Sequence, residues 1–305
     1  MNPKMLIYFA LIVGTICALI DIDYTQSYQK EVCLPTTKQS PIDFSYYSPE
    51  NLKFPAYPKF VLNNTFYTPI NNKMFTYLES HNSNINSNPK TTDSYLYLGL
   101  NASGFGSAFF LYTNKTVTYD LNELRLHVFS EHTFEGHKMD LELQLVHTLN
   151  EEKTDPSLIT QLDKYLSMSV LFSIARDKKS KFIDDIIGED EDRTDERLRY
   201  TFTPVKSLDL NQFFNFHEPY YLYHGTGTTP FDCNVDMTWL VNKKVEYLSE
   251  KQMRGIQIAM MDFEITPNGV KYNHYPNGNS RKVNDNYSFE KAEYIDNTDR
   301  DGDDV

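Results

Sequence analysis

The run YDLNELRLHVFSEHTFEGHKMDLELQLVH, residues 119–147, decides how this chain folds. Its two ends, LRLHVF and LELQLVH, place apolar or branched residues at every second position, which is typical of half-buried β-strands. Residues i and i+2 of a strand point to the same face. We therefore expect Arg125 to share a face with His127, and Glu142 to share a face with Gln144.

Shorter runs of the same kind lie on both sides of this stretch. SYLYLGL at 94–100 and SAFFLYT at 107–113 read as strands, and LSMSVLFSIA at 166–175 is apolar enough for a strand that is buried on both faces. The apolar residues of KFIDDII, 181–187, recur at helical spacing and predict a short helix. The patterning indicates a chain rich in strands with short helices.

The composition fits one large domain and argues against nucleic acid as a partner. The chain has 305 residues, of which 40% are hydrophobic and 14% aromatic, enough to bury a substantial core. No stretch in the middle reads as a linker. The net charge of −13 leaves no excess of basic side chains for binding phosphates.

The N-terminus reads as a signal peptide. Lys4 precedes an uncharged run from Leu6 to Ile20, which is short for a membrane span and suited to a signal core, and Ala18 closes a small-residue cleavage site. We expect residues 1–18 to be removed, leaving a chain without a membrane span that is secreted or stays in the lumen of the secretory pathway. The alternative is an uncleaved signal that anchors the protein at the cell surface.

Cysteines and sequons agree with this compartment. Cys17 lies inside the signal, so Cys33 and Cys233 remain as an even pair in an oxidising environment. Asn-X-Ser/Thr sequons make the chain a candidate glycoprotein, although a sequence this rich in asparagine carries several by chance. The sequon asparagines are Asn63, Asn101, Asn114 and Asn286.

Two acidic segments stand out near the C-terminal half. The block from Glu189 to Asp192 could be a site for calcium or for a cationic partner, but a solvated charged loop after a short helix is the favoured interpretation. Residues 285–305 are acidic and are expected to form a disordered tail.

Four separated segments together resemble the α-carbonic anhydrases. They are QSPIDF at 39–44, the run at 119–147, YHGTGTTPFDCNVDMTW at 223–239 and NSRKVN at 279–284, in the family's order. The second and third segments are long and specific. The resemblance implies an α-carbonic-anhydrase-like domain over residues 33–284, of the α+β class and dominated by a large, twisted, mostly antiparallel central sheet with short peripheral helices.

The resemblance also implies a zinc site that this sequence has largely lost. The family holds zinc with a His-x-His pair on one strand and a third histidine on the next, and the metal activates a water for attack on carbon dioxide. Here the pair reads Arg125-Leu126-His127, and the third position is Gln144. Arginine has no lone pair to give and repels a cation, while a glutamine oxygen is a weak ligand. Glu142 matches the carboxylate that orients the third ligand.

Other residues of the family's pocket persist in this chain. Glu131 and Thr228 match the pair that orients the zinc-bound hydroxide, and Thr229 continues the same loop. We expect them to survive as hydrogen-bonding structure. Asp232 stands as an extra residue before the cysteine of this loop, and Phe66 stands near the position of the family's proton-shuttle histidine.

The resemblance sets two further expectations, one covalent and one electrostatic. Secreted members of the family join an N-terminal cysteine to the cysteine of the Thr-Thr-Pro loop, which implies a Cys33–Cys233 disulfide. Without zinc, the pocket glutamates lack a cation, and a buried carboxylate is costly unless it is paired. We therefore expect the Arg125 guanidinium to lie in the cavity and to bond Gln144 or one of the two glutamates.

The expected function follows from the lost ligands. Arginine and glutamine at the first and third positions resemble the carbonic-anhydrase-related proteins, which are non-catalytic and act by binding proteins or glycans. We expect a secreted, catalytically inactive, carbonic-anhydrase-like binding or structural protein that uses no cofactor and has a protein or glycan partner. The alternative is an active carbonate dehydratase, a zinc lyase whose rearranged metal site is completed by another residue.

Overall fold

The computed structural model describes most of the predicted sheet. It covers residues 40–44, 60–73, 75–82, 93–188, 201–202, 204–214, 218–229, 232, 234–260, 263–266, 269–272 and 293–295. All of these residues belong to one compact unit, Cys33–Val305. Several predictions concern residues outside the described ranges: the signal at 1–18, Cys33, Cys233, Asn286 and the block from Glu189 to Asp192.

Strands dominate the described part of the chain. In chain order they are β1 (Asp43–Phe44), β2 (Phe60–Tyr67), β3 (Phe75–Asn82), β4 (Asp93–Asn101), β5 (Gly106–Tyr112), β6 (Lys115–His127), β7 (Thr133–Phe134), β8 (His137–Lys138), β9 (Leu141–Leu149), β10 (Tyr165–Ile174), β11 (Thr201–Phe202), β12 (Tyr220–Thr226), β13 (Asp236–Leu248), β14 (Phe263–Thr266), β15 (Gly269–Tyr272) and β16 (Glu293–Ile295). The α-helices found there are α1 (Lys181–Ile187) and α2 (Glu250–Met260).

One 11-stranded sheet organises these elements. Its order is β11-β3-β4-β6-β9-β10-β13-β12-β16, and β2 joins it through β5, which pairs with β6. Neighbouring strands run antiparallel except for β10 and β13, so the predicted mostly antiparallel sheet is confirmed. One edge of β6 pairs first with β5 and then with β4, while its other edge pairs with β9. A bulge between Leu121 and Glu123 shifts the β6–β9 register.

The two faces of the sheet carry different residues. Arg125 lies opposite Gln144 and His127 lies opposite Glu142 across β6 and β9, so all four share one face. The same face carries a small aromatic cluster around Trp239. Alternate residues of these strands point to the other face, where a larger hydrophobic core includes the apolar residues of α1 together with Met253 and Ile256 of α2. The predicted site is therefore separated from the main core by the sheet.

The helices are short and cover the large-core face. α1 begins after Ser180, whose hydroxyl accepts the N–H of Ile183, and ends at Gly188 in a left-handed conformation that favours glycine. The predicted helix over 181–187 is confirmed, and all four of its apolar residues are buried. Gln252 of α2 bonds both the N–H and the carbonyl of Ser180, at 3.0 and 2.7 Å. In the part of the chain described, no helix is long and apolar enough to cross a membrane.

The C-terminal segment differs in part from the expected disorder. Glu293–Ile295 forms β16, which pairs antiparallel with β12 and sets Ile295 opposite Tyr220. The expectation of a disordered tail over 285–305 is therefore wrong for these three residues. The edge of β12 offers backbone hydrogen bonds to the segment, a gain that acidic composition does not reveal.

Strand β2 pairs with β5, and side chains bond backbone groups on its outer edge. The Tyr220 hydroxyl accepts the N–H of Leu62 at 2.9 Å. The side chain of Asn211 bonds the N–H and the carbonyl of Tyr67, at 2.9 and 2.7 Å. These bonds satisfy groups that would otherwise be open to pairing with a strand of another molecule.

His147 lies on the large-core face, away from Gln144. Its ring is fully buried, and Nε2 lies 2.9 Å from the Tyr67 hydroxyl. Burial lowers the pKa of His147 from 6.5 to about 4, because the charged form would lose its hydration. His147 therefore sits on the wrong side of the sheet to join His127 in a metal site.

The stability of the protein should fall as the pH drops from about 6.5 toward 4, because the unfolded chain binds a proton on His147 that the folded chain refuses. The shift corresponds to about 3 kcal/mol, and this contribution levels off below pH 4. His147→Gln should remove that part of the slope in urea unfolding measured between neutral and acidic pH. His224→Gln, at an exposed imidazole, is the control. A His147→Gln profile identical to that of the wild type would contradict the assignment.

Candidate functional site

His127 stands at the end of β6 with its ring buried against Tyr97. The two rings stack with centroids 5.4 Å apart. Nδ1 lies 3.7 Å from a carboxylate oxygen of Glu131, which is beyond hydrogen-bond length. Within the described residues, neither ring nitrogen has a hydrogen-bond partner. Buried polar atoms without partners are rare in folded proteins, so this imidazole is a candidate for contact with a water or a bound group.

The position that the resemblance assigns to the third ligand holds an amide bonded to carboxylates. Gln144 Nε2 donates to Glu131 at 2.7 Å and to Glu142 at 3.1 Å. Its Oε1 is buried and has no partner among the described residues. Gln144 thus bonds Glu142, which orients the third ligand in the family. It also bonds Glu131, which orients the zinc-bound hydroxide in the family.

Glu142 is the centre of the hydrogen-bond network in this pocket. Its carboxylate accepts the backbone N–H of Glu131 at 2.7 Å and that of His132 at 3.0 Å. It also accepts the Ser169 hydroxyl at 2.8 Å and faces His132 Nδ1 at 2.8 Å. Burial alone would raise the pKa of Glu142, but the interactions with His132 outweigh it and lower the pKa from 4.5 to about 2. The carboxylate is therefore ionised and well bonded although it is fully buried.

A chain of hydrogen bonds leads from Glu142 to the N-terminal QSPIDF segment. His132 Nε2 lies 2.7 Å from the Tyr223 hydroxyl, which donates to Ser40 Oγ at 3.0 Å. Ser40 Oγ also accepts the backbone N–H of Thr226 at 3.1 Å. This series of hydrogen bonds joins β9, β12 and the entry segment behind the pocket. It holds these residues in place independently of any ligand in the pocket.

The guanidinium of Arg125 is buried as expected, but its partners differ from the prediction. Nε bonds Glu123 at 2.9 Å and Nη1 bonds Asp232 at 2.7 Å, and the group lies over the Tyr97 ring at 5.3 Å. The predicted bond to Gln144 or to a pocket glutamate is wrong, because the amide already serves those glutamates. Burial would lower the pKa of Arg125, but Asp232 and Glu123 raise it, so the side chain stays charged.

The two threonines that match the family's loop take different roles. Thr229 donates its N–H and its hydroxyl to Asp232 Oδ1, both at 2.9 Å. Thr228 Oγ1 is buried and has no hydrogen-bond partner in the described part of the chain. The expected pairing of Thr228 with Glu131 is therefore not made, and Glu131 is bonded by Gln144 instead.

Three residues of the site had no assigned role before the structure. Glu123 and Asp232 neutralise Arg125, and Tyr97 packs against both Arg125 and His127. The charge of Arg125 predicts that such partners exist, because a buried arginine requires carboxylates nearby. Asp232 was visible as an extra residue, but its partner lies 107 positions away in sequence.

The residues present do not fit the three-imidazole zinc site of the family. Arg125 cannot coordinate a cation, and Gln144 replaces an imidazole with a neutral amide whose nitrogen donates to the carboxylates. His224 is exposed and bonds Asp163, so it does not supply a replacement. No cluster of three or more His, Cys, Asp or Glu side chains suited to a metal occurs within the described ranges. Phe66, near the expected shuttle position, is 64% exposed and carries no titratable group.

The large, mostly antiparallel sheet with a buried polar pocket on one face defines a protein of the α-carbonic-anhydrase fold. The family model for eukaryotic-type carbonic anhydrase matches residues 25–287. The chain therefore belongs to this family.

Curated relatives align with about half of the chain. Dioscorin DB3L from Dioscorea polystachya is 30% identical over 145 residues, 47% of each chain. Alpha carbonic anhydrase 8 from Arabidopsis thaliana is 28% identical over 150 residues, 49% of this chain and 34% of the relative. The matched region thus spans half or less of these relatives.

Solved structures agree over a longer range. A dioscorin complexed with ascorbate covers 85% of this chain and 86% of its own, at 20% identity and a TM-score of 0.56. A halotolerant carbonic anhydrase from Dunaliella salina covers 87% and 89%, at 16% identity and a TM-score of 0.56. At these identities the similarity supports the fold.

Proposed function

We propose that this chain is a secreted, catalytically inactive member of the carbonic anhydrase family that acts as a binding or structural protein. The observation that carries the proposal is the bonding of the two replaced ligands. Arg125 is committed to Glu123 and Asp232, and Gln144 is committed to the pocket glutamates. Arg125 has no lone pair to give, and the amide nitrogen of Gln144 is held by the two carboxylates.

The chemistry of the pocket supports this proposal. Tight zinc sites use at least three protein ligands, and hydration of carbon dioxide needs a metal-bound hydroxide. His127 alone does not meet that requirement, and the guanidinium of Arg125 has no lone pair to add. Glu131 accepts the amide of Gln144 and makes no hydrogen bond with the Thr228 hydroxyl in the described structure. The pocket therefore keeps the carboxylate network of the family without its metal ligands.

The purified wild type should hold no stoichiometric zinc and should not accelerate carbon dioxide hydration. Elemental analysis after dialysis against zinc and then against buffer measures the first, and stopped-flow hydration measures the second. One zinc ion per chain would favour the alternative, an active zinc lyase with a rearranged site, and would show that a further residue completes it. Hydration without bound metal would contradict both readings.

Secretion is proposed from the N-terminal signal, the cysteine pair and the sequons. The three described sequon asparagines are exposed, as glycosylation requires. They are Asn63, Asn101 and Asn114. Asn101 Oδ1 accepts the N–H of Ser103 at 3.0 Å, so this sequon forms a local turn on the surface.

Protein recovered from the medium should lack residues 1–18 and carry a Cys33–Cys233 disulfide. Closing a loop of this length stabilises the folded chain by about 4–5 kcal/mol at most. Mass spectrometry without reduction, before and after glycosidase treatment, tests the signal, the disulfide and the glycans together. Free thiols at both cysteines would contradict the disulfide, and recovery of the chain from membranes with Met1 intact would favour the anchored alternative.

The proposed partner is a protein or a glycan. Affinity purification from native secretory material, with proteins and glycans analysed separately, would identify its class. A variant with substitutions on the pocket face and one with substitutions on the opposite surface would show which side of the molecule binds.

A further inference from the structure

One ion pair joins two parts of the site that are far apart in sequence. Arg125 lies on β6, and Asp232 lies in the connection from β12 to β13, 107 positions later. Their contact is 2.7 Å long, and the two side chains are only 9% and 16% exposed. A charged hydrogen bond in such a setting is worth more than a surface ion pair, because water competes less for both partners.

The backbone around Asp232 is arranged about its carboxylate. Oδ2 faces Arg125, while Oδ1 accepts both the N–H and the hydroxyl of Thr229. The Asp232 carbonyl accepts the N–H of Val235 at 2.8 Å. Gly227 leaves room for the carboxylate, since a Cβ at this position would lie 2.1 Å from Asp232 Oδ1. Any side chain at Gly227 would displace Asp232, so the segment is built to hold this acid.

The two carboxylates that face Arg125 differ in what they connect. Glu123 is two residues from Arg125 on the same strand, so its bond ties β6 to itself. Asp232 ties β6 to the segment that carries Thr228 and Thr229. Only the second contact can hold that segment against the sheet.

We infer that Arg125 and Asp232 form an ionic cross-link that positions the Thr228–Thr229 segment beside the pocket. In the family that this chain resembles, the same segment contacts a metal-bound hydroxide. Here the segment is held by an ion pair between Arg125, at a former ligand position, and Asp232, an inserted residue. Asp232 is a positioning residue that acts through Thr229 and Arg125. The two departures from the family's sequence are thus in direct contact with each other.

Amide hydrogen exchange tests this cross-link. Arg125→Gln removes the charge without touching the bonds of Asp232 to its own segment. The Thr229 and Val235 amides should then exchange at least about tenfold faster, which corresponds to about 1.4 kcal/mol. Amides in the middle of β10, on the far side of β9, should be unaffected and report on global unfolding.

Three further variants complete the test. Glu123→Gln removes the other partner of Arg125 and should change the Thr229 and Val235 amides by less than about twofold. Arg125→Lys should restore most of the protection, because an ammonium can still reach one carboxylate. In the double variant Arg125→Gln with Asp232→Asn, the Val235 amide should exchange no faster than in the single variant with the larger effect. The two substitutions break the same contact, so their effects should not add. If Arg125→Gln fails to fold, the exchange rates of the Thr229 and Val235 amides are compared between Arg125→Lys and Asp232→Asn instead.

Two results would overturn the inference. One is unchanged exchange at Thr229 and Val235 in Arg125→Gln, since the segment would then hold itself in place. The other is a Val235 exchange rate in the double variant that equals the combined effects of the two single variants, since the two residues would then act independently. Neither readout depends on metal content or activity, so failure here is distinguishable from failure of the proposed function.

Discussion

Arg125→His combined with Gln144→His is expected to convert this chain into one that binds a zinc ion. The new imidazoles would join His127 on one face of β6 and β9, since Arg125 and Gln144 lie opposite each other and on the same face as His127. Glu142 already stands where it can orient an imidazole at position 144. Three imidazoles meet the requirement of tight zinc binding for at least three protein ligands. Zinc binds to structural sites with an apparent free energy of about 10–16 kcal/mol.

The single variants are the matched controls for this prediction. Arg125→His alone leaves Gln144 bonded to both glutamates, and Gln144→His alone leaves the arginine charge beside the site. Each should bind zinc far more weakly than the double variant in elemental analysis and competitive chelation. A double variant that folds but holds no zinc would mean that the pocket geometry of the family is absent here.

Any hydration activity regained should be slow. Replacing Gln144 frees Glu131 to meet Thr228, whose hydroxyl lacks a partner in the described structure. Phe66 cannot relay a proton, so turnover should rise with buffer concentration. A buffer-independent rate would identify another proton-transfer group.

Glu142→Ala is expected to destabilise the fold by about 3–5 kcal/mol. Its carboxylate is fully buried and serves two backbone N–H groups, His132, Ser169 and Gln144. Removing it strands all of these donors away from water. Glu123→Ala, at a carboxylate on the same face that is 25% exposed, should cost about 1 kcal/mol or less in the same denaturant titration. Equal costs for the two would show that burial of the network carries no extra stability.

The pH dependence separates the charge of Glu142 from its shape. The pKa of Glu142 is lowered in the folded chain, so its contribution is present above about pH 4.5 and is lost as the pH falls toward 2. Glu142→Gln should flatten the acid limb of the stability profile in this window. The His147 contribution lies higher, between about 6.5 and 4, so the two variants should flatten different parts of the curve.

The fold was predictable because period-two patterning survives in the long strands. LELQLVH forms part of β9, and LSMSVLFSI forms β10, whose residues from Leu166 to Phe172 are all buried. β16 was not predictable, because three residues of mixed polarity carry no periodic signal. Its formation depends on the edge that β12 presents, a property of the assembled sheet.

The site was predictable in residue identity but not in pairing. Strand alternation placed Arg125 with His127 and Glu142 with Gln144, and the strand register brings both pairs to one face. The partners of Arg125 could not be derived, because Asp232 reaches it only through the path of the β12–β13 connection. The capture of Glu131 by Gln144 likewise depends on a 2.7 Å contact that sequence spacing does not specify.

The separation of the pocket face from the large core bears on how such a chain can diverge. The apolar residues that hold the sheet and its helices together lie on one side, while Arg125, Gln144 and Asp232 act on the other. Substitutions on the pocket side leave most of the apolar burial intact, so a lineage can lose or exchange its chemistry while it keeps the core that holds the sheet and its helices together. Selection for binding can then act on residues outside that core, while a buried group such as Glu142 serves both the pocket and the fold.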